Sequence, residues 1–248
     1  MEANDPFLQF LNNGYDSIEG WPGQKNSVYF MHVFKELFDN FPNMGGVCEI
    51  GVHHGKYLIA LHNIFGVGKS SLGIDLFDQQ YKNVDASGRG AFEICKENIE
   101  KFAVNPHLIE LMSQDSITMK QNQIDELCSR YTPFSIVSVD GGHTSLHLVR
   151  DFMFASQCVS EHGIIAVDDI FHPDWPGVTE GVYNIISQRQ SPFVPLFITR
   201  KKLFFCSASV HRIYKDFIDK KWTSFKREVE FCGWKIWSLN FGGEYDSN

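Results

Sequence analysis

The chain has 248 residues, 43% of them hydrophobic and 14% aromatic, with a formal net charge of -8. This predicts one sizeable core and a single α/β domain with additions, and the acidic balance argues against nucleic acid as a partner. No apolar run reaches the roughly 18 residues that a membrane span needs, and the N-terminus lacks the pattern of a signal peptide. We therefore expect a cytoplasmic protein with no membrane partner.

The six cysteines are widely spaced and form no CxxC pair. Most lie in apolar contexts, which predicts buried thiols in a reducing compartment. They are Cys48, Cys95, Cys128, Cys158, Cys206 and Cys232.

The chain opens with residues 1–26, which are rich in Asn, Gly and Asp and predict an irregular lead-in. Residues 27–41 follow with a wide apolar face at helical spacing. Such a helix either packs on the domain or covers a ligand cleft, and the sequence leaves both open.

A strand is predicted at residues 47–50, and Gly51 and Gly55 bracket a turn into a helix at residues 56–65. A strand, a glycine turn and a helix N-terminus form a ready site for an anionic or carboxylate-bearing cofactor. The turn is not the dinucleotide pattern GxGxxG, because His53 stands where a middle glycine would be. A plain β-α turn remains an equal interpretation. Adjacent histidines in a turn are more often exposed than metal-bound, which we expect for His53 and His54.

The next predicted strand, residues 71–75, ends in Asp75. An acid at this point accepts hydrogen bonds from ribose hydroxyls in nucleotide-binding α/β folds, or it caps the next element. The polar loop at residues 76–90 is long for a compact domain, which indicates a mobile cover over a site. A helix at residues 91–102 and a strand at residues 107–112 follow.

Asp115 and Ser116 come after that strand. They either bind a ligand or start the helix predicted at residues 117–128, with Asp115 or Ser116 as its N-cap. The sequence alone favours neither interpretation.

Residues 134–172 hold the most informative pattern. A short apolar run at residues 134–139 stops at Asp140, a helix is predicted at residues 144–160, and a second run at residues 163–167 stops at Asp168 and Asp169. This is a β-α-β unit whose acids fall at the carboxyl ends of parallel strands, where ligands of such sheets bind. Three crowded carboxylates repel one another unless a positive group lies between them. The plainer alternative is that each acid caps a helix or turns a loop.

The rest of the chain predicts a proline-containing loop and a helix at residues 178–187. Strands at residues 193–199 and 203–207 are consistent with a hairpin. A helix at residues 210–222 and one or two strands within residues 228–241 complete the pattern.

Together these elements resemble the class I S-adenosylmethionine-dependent methyltransferases. In detail they resemble the metal-dependent O-methyltransferases related to macrocin and other antibiotic-sugar O-methyltransferases, over roughly residues 27–207. The motifs that carry the resemblance are EIGVHHG (49–55), Asp75, Asp115-Ser116, DGGH (140–143), DD (168–169) and WPGV (175–178). The resemblance implies a Rossmann-like seven-stranded sheet of order 3-2-1-4-5-7-6, with the last strand antiparallel and helices on both faces. Residues 208–248 would then be a C-terminal extension packed on the same domain.

The resemblance also implies roles for individual residues. The S-adenosylmethionine site would comprise Glu49, Gly51, Gly55, Asp75, Asp115, Ser116 and Asp140. Asp140, Asp168 and Asp169 would bind Mg²⁺ or another divalent cation, and His143 would be the catalytic base.

The implied activity is methyl transfer to a hydroxyl of a small molecule, such as a sugar or a natural product. An NAD-dependent oxidoreductase and a non-enzymatic ligand-binding domain are the alternatives, and a homo-oligomer is left open.

Overall fold

The computed structural model describes residues 5–21, 25–188 and 191–239. Its helices are α1 (Pro6–Asn13), α2 (Lys25–Phe38), α3 (Lys56–Phe65), α4 (Phe92–Phe102), α5 (Gln121–Arg130), α6 (Ser145–Cys158), α7 (Pro176–Ser187) and α8 (His211–Lys221). Its strands are β1 (Val47–Ile50), β2 (Ser71–Asp75), β3 (Ile109–Ser113), β4 (Phe134–Val139), β5 (Val159–Val167), β6 (Phe193–Ile198), β7 (Leu203–Ser207), β8 (Lys226–Phe231) and β9 (Trp234–Leu239).

One mixed sheet organises these elements, with strand order β3-β2-β1-β4-β5-β7-β6-β9-β8. Strands β1 to β5 are parallel, and β7 runs antiparallel to both β5 and β6. The α/β class and the core order 3-2-1-4-5-7-6 are therefore confirmed. The acids that follow β2, β4 and β5 consequently lie at the same edge of the sheet.

The described sheet has nine strands rather than the predicted seven. The two additional strands form a hairpin, and β9 pairs in parallel with β6. Cys232 and Gly233 both have positive φ at the hairpin tip, as a two-residue turn that matches strand twist requires. Of the predicted C-terminal extension, residues 208–239 are described: they contain α8 and then β8 and β9, which continue the same sheet. Residues 240–248 lie outside the described part.

Two buried apolar clusters hold the helices against the sheet. Helices α2 and α3 pack on one face, while α6 and α7 pack on the other. Every residue of β1 and β4 is buried, which explains why apolar residues predominate in these strands, with Glu49, Ser135 and Ser138 as the exceptions. Within the described residues, no helix is both long enough and apolar enough to cross a membrane.

The prediction of an irregular lead-in is wrong for residues 6–13, which form α1. Asp5 caps this helix by accepting a hydrogen bond from the Phe7 N–H at 2.9 Å, and Pro6 occupies the first turn, where its missing N–H does no harm. Phe7 and Phe10 bury their rings in the core. A cap and three apolar residues were thus enough to make a short helix from a polar segment.

The prediction of six buried thiols is wrong for three of the cysteines. Cys128 and Cys158 are joined by a disulfide between α5 and the end of α6, and Cys232 is exposed at the hairpin tip. The other three cysteines, Cys48, Cys95 and Cys206, are free and buried as predicted.

Candidate active site

A cavity of about 470 Å³ opens at the carboxyl edge of the parallel strands. Its volume falls within the range of small-molecule sites. Eight of the predicted site residues line it, namely Gly51, Asp75, Asp115, Ser116, Asp140, His143, Asp168 and Asp169. Two predicted cofactor residues, Glu49 and Gly55, are not among its lining residues.

Gly51 is required at the end of β1 by the neighbouring strand. Its φ is +84°, and a Cβ there would stand 1.8 Å from the backbone oxygen of Asp140. The Gly51 N–H donates to the Ile74 carbonyl at 2.8 Å, which ties the turn to β2. The glycine therefore allows β1 to end tightly between its two neighbours, at the wall of the cavity.

Glu49 lies under the cavity rather than in its wall. The side chain is 1% exposed, and one carboxyl oxygen has no hydrogen-bond partner among the described residues. Burial raises the pKa of Glu49 well above its ordinary value although Lys202 opposes the shift. Burial therefore disfavours the charged form of Glu49, and its predicted contact with the cofactor stays a prediction.

Asp75 is held by the backbone on both sides. One carboxylate oxygen accepts from the His53 N–H at 2.8 Å and the other from the Phe77 N–H at 2.6 Å. The capping interpretation of Asp75 is therefore correct, yet the same carboxylate also lines the cavity. Each oxygen keeps a lone pair for a ligand hydroxyl.

Asp115 and Ser116 likewise fit both interpretations, as residues that cap the next element and as residues that bind a ligand. Asp115 caps a short 3-10 turn, Ser116–Thr118, and accepts from the Ile117 N–H at 3.3 Å. This turn explains why α5 begins at Gln121, later than predicted. Both residues line the cavity, so capping and ligand binding are compatible here.

A buried lysine lies between two acids of the predicted metal trio. The Nζ atom of Lys202 is 2.7 Å from the Asp168 carboxylate and 3.5 Å from that of Asp140. Its side chain is 2% exposed, and the ammonium sits 4.2 Å from the centre of the Tyr57 ring. The Lys202 ammonium therefore supplies at least part of the positive charge that the crowded carboxylates require. Sequence reasoning missed it, because Lys202 ends a basic run that is typical of an exposed hairpin turn.

The two acids beside Lys202 titrate in opposite directions. Burial and the adjacent Asp168 raise the pKa of Asp140 well above its ordinary value. Burial also disfavours the charged form of Asp168, but Lys202 outweighs it and lowers the pKa of Asp168 to about 2. Lys202 therefore favours the charged form of Asp168, whereas burial and the adjacent Asp168 disfavour the charged form of Asp140.

His143 lies between two carboxylates at the rim of this group. Its Nδ1 atom is 2.9 Å from Asp85 and its Nε2 atom is 3.2 Å from Asp169. Burial favours the neutral imidazole, but hydrogen bonds to Asp169 and Asp85 prevail and raise the pKa of His143 to about 10. Trp175 stacks on the ring, with centroids 4.5 Å apart and planes 19° from parallel. The helix that follows begins at Ser145, capped by Thr144, so His143 stands in the turn before it.

Asp85 comes from the polar loop that the sequence marks as a cover. It accepts from both the His143 backbone N–H, at 2.8 Å, and the ring nitrogen. Ser87 of the same loop donates to Asp85 at 2.6 Å. No local pattern distinguishes Asp85 from the other polar residues of the loop, because its role depends on contact with a residue 58 positions away.

The residues that could hold a metal differ in part from the predicted trio. Ligand atoms of Asp140, His143 and Asp169 lie within 4.8 Å of one another, whereas Asp168 is paired with Lys202. Two carboxylates and an imidazole at a cavity wall suit a divalent cation. Asp169 is held with a φ of +54°, an uncommon conformation for a residue other than glycine.

The sequence of the chain matches a protein family described as a methyltransferase domain over residues 48–170, about half of the chain. This range contains the glycine turn, Asp75, Asp85, the 140–143 motif and the paired acids at 168–169. No protein with a curated description matches the chain by sequence.

Solved structures with the same fold include three methyltransferases. MycE, from the mycinamycin biosynthetic pathway and in complex with Mg and SAH, has 18% identity and a TM-score of 0.53 over 82% of this chain and 54% of its own. CalS11, a calicheamicin methyltransferase, has 16% identity and a TM-score of 0.54 over 83% of this chain and 87% of its own. An O-methyltransferase from Bacillus cereus, in complex with SAH, has 13% identity and a TM-score of 0.51 over 83% of this chain and 91% of its own. This chain spans about half the length of MycE.

Proposed function

We propose that the chain is a class I S-adenosylmethionine-dependent methyltransferase that transfers the methyl group to a hydroxyl oxygen of a small molecule. The observation that carries this proposal is the position of His143, which Asp85 orients at the wall of a cavity that also contains Gly51 and Asp75. A hydroxyl is a poor nucleophile until a base takes its proton. An oriented imidazole at the wall of a cofactor-sized cavity supplies that base.

The first role of the chain is to bind and orient the cofactor. Gly51 lets the backbone come close to the ligand, and Asp75 offers carboxylate oxygens to ribose hydroxyls. Asp115 and Ser116 line the cavity beyond Asp75. When bound, S-adenosylmethionine supplies an electrophilic methyl group on a sulfonium.

The second role is to remove the proton of the acceptor. Asp85 accepts at Nδ1 of His143 and thereby leaves Nε2 as the atom that takes a proton. Without ligands, Nε2 of His143 faces Asp169. Burial lowers the pKa of the imidazole, but the interaction with Asp169 contributes to a larger rise. If another cation bound Asp169, the pKa of His143 would fall toward neutral pH. A general base works best with a pKa in that range.

We further propose that Asp140 and Asp169 hold a divalent cation, with Mg²⁺ the ion that suits oxygen ligands. Such an ion would acidify an acceptor hydroxyl in the cavity. Support comes from the ligand atoms of Asp140, His143 and Asp169, which lie within 4.8 Å of one another, and from MycE, whose structure contains Mg.

The acceptor class follows from the same comparisons and from the cavity wall. MycE belongs to the mycinamycin biosynthetic pathway, and a second CalS11 structure is described as a TDP-rhamnose 3'-O-methyltransferase of calicheamicin biosynthesis. In this chain, Trp175 and His172 line the cavity near the proposed base. Aromatic faces suit a sugar ring or a planar natural product, and we propose an acceptor of this kind.

Single-turnover methyl transfer tests the proposal. Mass spectrometry for a gain of one methylene, across sugar-bearing and phenolic acceptors, should identify a product. His143→Ala should lower kcat by about 10²–10⁴ while the affinity for S-adenosylmethionine is kept. Full activity in excess chelator would exclude the metal, and near-normal turnover of His143→Ala would exclude this residue as the base.

A matched control is His107→Ala, which removes an exposed histidine that does not line the cavity. This variant should turn over like the parent. A loss of activity in both variants would point to a general effect of histidine removal. Isothermal titration with S-adenosylmethionine and with NAD separates methyl transfer from the oxidoreductase alternative.

A further inference from the structure

A second group of ligand atoms lies where the N-terminal segment meets the β1–α3 turn. Glu19, His53 and His54 each offer one ligand atom, and these atoms lie within 4.8 Å of one another. The Nδ1 atom of His54 is 3.4 Å from the Glu19 carboxylate. The expectation of two exposed histidines is wrong for His54, which is only 5% exposed, and His53 is partly buried.

The two imidazoles have nitrogen atoms that no described protein group satisfies. Nδ1 of His53 and Nε2 of His54 are both buried without a hydrogen-bond partner among the described residues. An unsatisfied buried polar atom costs about 1–3 kcal/mol, and the two rings that carry these atoms have centroids 4.0 Å apart, so a ligand bound between them would relieve part of this cost.

The turn that carries both histidines is fixed from several sides. His53 has a φ of +52°, and its N–H donates to Asp75 at 2.8 Å. The His54 carbonyl accepts from the Asn98 side chain at 2.9 Å. Trp21 packs edge-on against the His53 ring, with centroids 5.3 Å apart. A left-handed conformation costs about 1–3 kcal/mol at such a residue and persists only when its surroundings impose it, so the two rings are held in place before any ligand arrives.

We propose that Glu19, His53 and His54 bind a transition-metal ion, for which Zn²⁺ is the best fit. Two imidazoles and one carboxylate are a common zinc ligand set, and they leave a fourth position for water. Mg²⁺ prefers ligation by oxygen alone, so the two proposed sites differ in the ion that they select. Nothing in the proposed methyl transfer requires this ion.

An ion at this site would link two separate segments of the chain. Glu19 belongs to the segment before α2, whereas His53 and His54 belong to the turn between β1 and α3. An ion held by all three would fasten that segment to the turn. His53 lines the cavity, and its N–H donates a hydrogen bond to Asp75. An ion bound to His53 would therefore also stabilise the predicted contact of Asp75 with the ribose.

The test measures Zn²⁺ retention by the full chain. The parent protein carries Cys232→Ser, because the exposed thiol would bind Zn²⁺ by itself, and Asp169→Asn, which weakens the acid site. After dialysis against Zn²⁺ with excess Mg²⁺, elemental mass spectrometry should find about one Zn²⁺ per chain. Cobalt substitution should give the visible absorption of a four-coordinate site.

Two ligand variants and one control complete the design. Glu19→Gln changes a side chain that is 78% exposed, so the fold should survive while the affinity for Zn²⁺ falls about tenfold or more. His53→Gln should weaken binding similarly. Asp16→Asn removes an acid that is 75% exposed on the same segment, and it should bind Zn²⁺ like the parent.

Three outcomes would overturn the proposal. They are a parent that retains no Zn²⁺, equal retention by Glu19→Gln and Asp16→Asn, and binding that appears only when Asp169 is restored. The last outcome would assign the ion to the acid site. A selective loss in Glu19→Gln and His53→Gln, with a matching loss of cobalt absorption, would establish the site.

Discussion

The cofactor half of the cavity, formed by Gly51, Asp75, Asp115 and Ser116, holds its groups with backbone hydrogen bonds. The acid half, formed by Asp85, Asp140, His143, Asp168 and Asp169, holds its groups with ion pairs, and Lys202 pairs with Asp168 although it does not line the cavity itself. In the cofactor half the partners are main-chain N–H groups of nearby turns, as at Asp75. In the acid half they are charged side chains from separate segments, as at Asp85 and His143.

The difference determines how each half responds to substitution. Main-chain donors persist when one side chain changes, because the turn itself remains. A buried charge is compensated only by its partner, so removal of either member leaves the other unpaired. We therefore expect single substitutions in the acid half to affect stability as well as activity, and those in the cofactor half to affect mainly the affinity for ligand.

The largest effect is expected for Lys202→Met. The substitution removes the ammonium that is 2.7 Å from Asp168 and leaves a buried carboxylate without its cation. Breaking a buried pair in this way typically lowers the free energy of unfolding by about 3–5 kcal/mol. Urea denaturation of the parent and the variant measures the change.

Two further variants sharpen this comparison. Lys201→Met removes a neighbouring lysine that is 35% exposed and 3.9 Å from Asp169, and it should change stability little. Adding Asp168→Asn to Lys202→Met should restore part of the lost stability, because the unpaired charge is then gone. Equal stability of Lys201→Met and Lys202→Met would mean that the buried pair is unimportant.

An intermediate effect is expected for Asp85→Asn. The loss of a carboxylate beside His143 should lower the pKa of its imidazole from about 10, so the rising limb of the pH–rate profile should move to lower pH by about one unit or more. The maximum kcat should fall about tenfold because the ring is less well oriented. The comparison requires pH–rate profiles of single-turnover methyl transfer.

The pair of His143 and Asp85 should also make the stability of the protein depend on pH. Since the pKa of His143 is higher in the fold than its ordinary 6.5, the ionised pair stabilises the protein fully below pH 6.5, and this stabilisation is lost as the pH rises toward 10. Asp85→Asn should therefore unfold more easily than the parent at pH 6 and show a smaller difference near pH 10. A difference in stability that does not change between these pH values would contradict the ionised pair.

The smallest effect is expected for Asp75→Asn in the cofactor half. The amide keeps one oxygen for one backbone N–H and turns its NH₂ group toward the other, so the free energy of unfolding should fall by about 1–3 kcal/mol, less than for Lys202→Met. The affinity for S-adenosylmethionine should fall about tenfold through the weaker ribose contact. Asp78→Asn, at an exposed acid of the following loop, is the matched control and should bind like the parent. Calorimetric titration that finds equal affinities in the two variants would remove Asp75 from the cofactor site.

The sequence predicts the cofactor half better than the acid half, and the reason is the range of the contacts involved. Gly51 follows β1 and Asp75 ends β2. Both strands are visible in the sequence as short runs, and the burial of β1 and of the first four residues of β2 confirms them. Asp85 and Lys202 act through contacts 58 and 34 positions away, with His143 and Asp168. Neither stands in a distinctive pattern, so a polar loop and a basic turn were the natural interpretations.

The added hairpin shows a similar limit. The alternation of β8 and β9 predicts strands, but the sequence does not say which edge they join. Their attachment depends on two paired positions between β9 and β6, Phe197 with Trp237 and Ile198 with Ser238. Short pairings of this kind follow from the packing of the complete domain rather than from local preference.

Strand β8 forms one border of the described sheet, and its composition affects how two molecules meet. A border strand presents a row of unpaired N–H and C=O groups to which another chain can add. In β8 this border carries Lys226, Arg227, Glu228 and Glu230, so a copy that added in parallel and in register would bring like charges together along the strand. These side chains allow the domain to have a long open sheet and still resist edge-to-edge aggregation.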